Sequence, residues 1–67
     1  MMVTLRTTPG GLPVDRRKEA FRDLVEAQDR GLSVPDSRRV VAARYDLTEA
    51  EVRAVEEEGV KKEWPPL

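Results

Sequence analysis

Apolar residues recur three and four positions apart through most of this chain, and each such run ends at a residue that stops a helix. In "VDRRKEAFRDLVEAQDRG", Ala20, Phe21, Leu24, Val25 and Ala27 line one face at helical spacing, with Gln28 at its edge. Gly31 suits the position just past the end of that helix, and Leu32 can fold back on its last turn. A second helix follows "LSVPD". Ser33 or Val34 is its N-cap, Pro35 falls in its first turn, and Asp36 complements the helix dipole. This helix runs through "SRRVVAARY" and stops near Asp46, with Val41 and Tyr45 one turn apart and Val40 beside them.

The third helix opens on a capping box, in which Thr48 caps and Glu51 stands three residues on, directly before an apolar run. Val52, Val55 and Gly59 share one face, and Val60 lies beside it. Gly59 marks either the end of the helix or a place where another helix passes close. "VKKEW" remains compatible with helix, so a further turn is expected before Pro65 and Pro66 stop it.

The expectation is therefore an all-α, three-helix domain over residues 14–64. An N-terminal arm (1–13) precedes it and a short Pro-rich tail (65–67) follows. In the arm, Val3 and Leu5 alternate with Thr4 and Arg6, as in a short extended segment, before "TTPGGLP" breaks regular structure. That segment reads as a loose leader or as an arm that orders on a partner, pairing with a sheet edge. The two prolines of the tail favour an extended polyproline conformation.

The turn between the second and third helices carries the most information. Tight joining of two short helices needs a small residue between them, here Ala42. Four residues on, it needs one that tolerates the left-handed conformation, here Asp46. An apolar plug (Leu47), an N-cap (Thr48) and two inward apolar residues three apart (Val52 and Val55) complete the set. "VAARYDLTEAEVRAVEEEG" thus resembles the helix-turn-helix of sigma-factor region four and related bacterial regulators. Those proteins typically read small-x-x-aromatic-Gly-Val-Ser/Thr followed by "V-R-x-I-E". Ala42, Tyr45, Leu47, Thr48, Val52, Arg53, Val55 and Glu56 stand in those places, and Asp46 replaces the usual glycine. The resemblance covers residues 37–60.

What the resemblance implies is duplex-DNA binding, with the base-reading face on Thr48, Glu49, Ala50, Arg53 and Ala54. An arginine at position 53 reaches a guanine edge or a phosphate, and Glu49 can accept from cytosine N4. Arg38, Arg39, Arg44, Lys61 and Lys62 are candidate phosphate contacts, or plain solvated charges. Sigma region four also binds RNA polymerase, so the resemblance allows a larger protein partner besides DNA. A lone domain of this size would need dimerisation or such a partner to bind DNA usefully.

Charge complicates that picture. Charged residues make up 37% of the 67 residues, yet the formal net charge is only −1. Residues 48–67 carry six glutamates against Arg53, Lys61 and Lys62, whereas DNA-binding domains usually show an excess of Lys and Arg on one face. The competing expectation is a protein-interaction adaptor that docks through its acidic third helix and through Trp64. Arg16 and Arg17, cationic in a first turn where the dipole disfavours them, are its other candidate contacts. Trp64 has two readings, a cap folded back on the small core beside Phe21 or Tyr45, and an exposed anchor.

The remaining chemistry is mostly exclusion. The chain has no histidine and no cysteine, hence neither the commonest general base nor thiolate or imidazole metal ligands, and no disulfide framework. It has no Gly-rich phosphate loop. No enzyme activity, metal or cofactor is expected. No apolar run approaches the roughly 18 residues of a membrane span, and "MMVTLRTTPGG" lacks the apolar stretch of a signal peptide. A cytoplasmic protein is the expectation.

Overall fold

A computed structural model describes residues 12–67; the sequence-based reading of the arm falls almost entirely outside them. Three helices account for the fold: α1 (Val14–Asp29), α2 (Val34–Tyr45) and α3 (Glu49–Lys62). Each of them packs against the other two.

Local signals set the boundaries. Helix α1 begins after Pro13 and ends in a Schellman motif, in which Gly31 N–H donates to the Gln28 carbonyl (3.0 Å) and Leu32 N–H to that of Ala27 (3.1 Å). Gly31 has φ +105°, a conformation that L side chains rarely adopt. Helix α2 is capped by Ser33, whose hydroxyl accepts from the Asp36 N–H at 3.2 Å. It ends on Asp46 in the left-handed conformation (φ 56°, ψ 49°), and the Ala42 carbonyl accepts from both Asp46 and Leu47. Three residues later α3 starts with the complete capping box. The Thr48 hydroxyl accepts from Glu51 N–H (3.1 Å), and the Glu51 carboxylate accepts from Thr48 N–H (2.8 Å).

The core is assembled from one face of each helix. Ala20, Phe21 and Leu24 of α1 meet Val41 of α2, Leu47 of the turn, and Val52 and Val55 of α3, all buried, and Ala27 of α1 is buried as well. Leu47 plugs the corner of the turn, and Ala42 and Tyr45 pack half-buried beside it. Helix α3 does continue past Gly59. A Cβ at that position would stand 2.2–2.6 Å from three carbons of the Phe21 ring. Glycine is there because α1 presses an aromatic ring against the α3 backbone.

Trp64 completes this corner. It is only 6% exposed and meets Phe21 edge-on, with ring centroids 6.1 Å apart at 78°. Its backbone N–H donates to the Gly59 carbonyl at 2.9 Å, across Glu63 in the left-handed conformation (φ 54°). The exposed-anchor reading of Trp64 is therefore corrected: a core this small gains more by covering Phe21 with the indole than by leaving it in water. The tail departs from expectation too. Leu67 N–H donates to the Trp64 carbonyl at 3.0 Å, so residues 64–67 close a turn, whereas a polyproline segment has no internal hydrogen bonds.

One polar residue sits fully inside. Ser37 is 0% exposed; its hydroxyl donates to the Val34 carbonyl (2.8 Å) and accepts from Gln28 Nε2 (3.1 Å). Among the described residues no buried side-chain polar atom lacks a partner, as stability in a small core requires.

Candidate nucleic-acid interface

Because Val52, Val55 and Gly59 turn inward, the opposite face of α3 points to solvent. Glu49, Ala50, Arg53, Glu57 and Lys61 are exposed there and Ala54 is half-buried. Ala50, Arg53, Ala54 and Glu57 line a shallow hollow, and a second one adjoins it between Ala54, Glu57, Glu58, Lys61 and Lys62. Both hollows are open troughs between side-chain rows of a helix, unlike the concave, enclosing pockets that hold small ligands.

The arginines differ sharply in what they already do. Arg38 donates twice to one oxygen of Glu56, from Nε (3.0 Å) and Nη2 (2.8 Å), with both side chains mostly shielded from water. This pair bridges α2 and α3 and is an internal strut. Arg17 forks onto both oxygens of Glu58 (2.9 and 3.2 Å) and donates its third nitrogen to the Leu12 carbonyl at 2.6 Å. It ties the start of α1 to the last turns of α3. The expectations of Arg38 as a phosphate contact and Arg17 as a partner contact do not fit these placements, since releasing Arg38 would strand the partly buried Glu56 carboxylate and releasing Arg17 would leave Glu58 with Lys62 alone.

Three arginines hold looser positions. Arg39 pairs with Asp36 one turn back at 2.7 Å, with both side chains more than half exposed. Arg44 reaches Asp23 at 3.2 Å from a 60% exposed side chain. Arg16 pairs with Glu19 at 3.3 Å and lies over the Tyr45 ring, 5.3 Å from its centroid. Such exposed pairs are worth well under about 1 kcal/mol and exchange readily.

Arg53 stands apart. It is exposed, and among the described residues it has no hydrogen bond, ion pair or ring contact. Glu49, Glu57 and Lys61 share that condition. Thr48 lies at the start of the face with its hydroxyl occupied by the cap.

Two titrations report the struts. The Tyr45 phenol is pushed up from 10.0 to about 12, first because burial disfavours its anion and then because its O–H donates to Asp23 at 2.7 Å. The Glu58 carboxyl is held below its ordinary 4.5, first by the Arg17 hydrogen bonds; burial opposes this, and the hydrogen bond from Lys62 at 3.0 Å adds a smaller lowering.

The Asp23–Tyr45–Arg44 cluster, the Gln28–Ser37 pair and the partners of Glu56 and Glu58 have no counterpart in the sequence reading. Apart from the Lys62–Glu58 pair within α3, each joins residues on different helices, where spacing along the chain is silent. Among the described residues no group of three or more Asp or Glu is placed to hold a metal ion, and no helix is long and apolar enough to cross a membrane. No family model, no curated protein and no solved structure matches this chain.

Proposed function

We propose that the chain is a helix-turn-helix DNA-binding module that lays the outer face of α3 in the major groove, as a sigma-like or repressor-like regulator. The observation that carries this reading is Arg53. Of the four arginines placed on the DNA side, it alone has no partner among the described residues, and it projects from a face kept low by Ala50 and Ala54. A low face lets a helix backbone come close to base edges, and a free guanidinium can fork onto guanine O6 and N7. Arg39 and Arg44 leave weak exposed pairs to meet phosphates; Arg38 stays with Glu56.

Besides Arg53, three cations are then available to phosphates: Arg39, Arg44 and Lys61, the last exposed and unpaired among the described residues. The affinity of one copy is correspondingly low, with a slope of log K against log salt of about −3. A second copy or a larger protein partner supplies the rest. Fluorescence anisotropy with a labelled duplex at low salt tests this. Arg53→Ala is expected to weaken binding by roughly 5- to 150-fold, the range for losing one base-edge contact, and Arg38→Ala to lower thermal stability more than specific binding. Equal affinity of wild type and Arg53→Ala would sink the proposal.

A second reading, a protein-interaction adaptor, draws on a different observation. Glu49 and Glu57 stand one turn to either side of Arg53, exposed and unpaired among the described residues, where they repel phosphate. A basic partner protein would be lost on Glu49→Lys and Glu57→Lys, the same changes that would strengthen duplex binding.

A further inference from the structure

The charges on the outer face of α3 form an ordered set. Glu49, Arg53, Glu57 and Lys61 follow one another at intervals of four residues with alternating sign. All four are exposed and none has an ion-pair partner among the described residues. The same spacing permits pairing along the helix, as Lys62 and Glu58 do at 3.0 Å, yet these four remain apart. Other exposed charges, Asp15, Arg22, Glu26, Asp29, Arg30 and Glu63, also stand without an ion pair among the described residues; what distinguishes the α3 row is its symmetry and the small residues beside it.

The row is complementary to itself. Its four positions are symmetric about one midpoint on the helix, so an antiparallel copy sets Arg53 against the second copy's Glu57 and Glu49 against its Lys61. Each contact occurs twice, as a two-fold interface requires. Rows of residues four apart align when helices cross at about 50°, the commonest packing class. The neighbouring row starts small: Ala50 and Ala54, ahead of Glu58 and Lys62, form the floor of the hollow that Arg53 and Glu57 border, so two helices can approach closely near the midpoint, where Ala54 lies. Val60, 58% exposed, stands opposite Ala50 under the same symmetry and supplies apolar contact. From charge complementarity, the low floor and the exposed valine, we propose that α3 is a self-association surface whose occupant is a second, antiparallel copy of α3.

This inference goes beyond the DNA reading and does not depend on it. The two are nevertheless linked: pairing of α3 with α3 covers Arg53, so a self-associated pair cannot place that face in a groove. Such a pair is a stored form, distinct from a dimer that presents both α3 faces to DNA. One helix face per copy is a small interface, of the weak and transient kind, and the exposed ion pairs make it salt-sensitive.

Charge exchange tests the geometry in the absence of DNA. Sedimentation equilibrium of the full chain, from about 10 µM to about 1 mM at low salt, spans the range for a weak dimer. The wild type is expected to shift from monomer to dimer across that range and to revert at high salt. Arg53→Glu sets glutamate against Glu57, and Glu57→Arg sets arginine against Arg53, so each variant alone is expected to remain monomeric. An equimolar mixture of the two is expected to dimerise again, because each copy then meets its opposite. Circular dichroism checks that both variants keep their helices; both positions are exposed and outside the core. A wild type that stays monomeric throughout overturns the proposal. So does a dimer that survives in either variant, or a mixture that fails to associate when the wild type does. None of these outcomes touches the Arg53→Ala test on DNA.

Discussion

Gly59→Ala sets two known effects against each other with opposite signs. In a helix interior alanine is favoured over glycine by about 1 kcal/mol, and position 59 lies inside α3. Judged by propensity alone, the variant would be more stable than the wild type. The added methyl group, however, would sit 2.2, 2.4 and 2.6 Å from three carbons of Phe21, roughly 1 Å or more inside ordinary carbon contact distance near 3.5–4.0 Å. The ring cannot swing away into solvent, because Phe21 is 1% exposed and Trp64 closes its edge. Overpacking of this kind costs about 1–3 kcal/mol, and the depth of the overlap puts Gly59 at the upper end. The net expectation is a loss of about 2 kcal/mol, a large share of the roughly 3–10 kcal/mol available to a domain of this length. By thermal denaturation the midpoint should fall by roughly 8–16 °C. Pairing the change with Phe21→Leu should give a smaller penalty for Gly59→Ala than in the wild-type background, because the shorter side chain makes room. A Gly59→Ala protein as stable as the wild type, or more so, would refute the packing of α1 against α3 inferred from this contact.

Glu63 occupies a left-handed position at the end of α3 (φ 54°), and Glu63→Gly should raise stability by up to about 1 kcal/mol in urea titrations, because glycine meets no steric penalty there. The Tyr45 phenol holds its proton more tightly in the folded state, up to about 12 against 10.0. Its contribution is therefore complete below pH 10 and lost as pH rises from there to 12, so the stability difference between wild type and Tyr45→Phe should shrink over that window. Glu58 has the opposite sign. Its folded carboxyl lies below 4.5, so its contribution is present above that pH and is lost as pH falls through the lowered value. Acid unfolding of Glu58→Gln should lack this step, and so should that of Arg17→Ala, because Arg17 is the first cause of the shift.

Features that depend on a few neighbouring residues were legible in the chain itself. The apolar spacing located all three helices, Thr48 and Glu51 announced a capping box that forms as expected, and Gly31 and Asp46 took the backbone conformations their positions demanded. These are decided within a turn or two of helix, by sterics and hydrogen bonds that the local sequence contains. Tertiary structure alone decided which charges are spoken for. Arg17 and Glu58 lie 41 residues apart and Arg38 and Glu56 lie 18 apart; both pairs exist because three helices pack face to face. Two of the expected contact arginines are thereby internal struts, and Glu56 and Glu58 are their partners. The same packing buried Trp64 and gave Gly59 its purpose, for neither the indole nor the glycine has a neighbour in sequence that explains it. Among the charges still unpaired after those long-range contacts formed is the row from Glu49 to Lys61, the surface proposed above for a second copy. A long side chain sweeps several ångströms of space, and only the position of every other helix determines what it finds there.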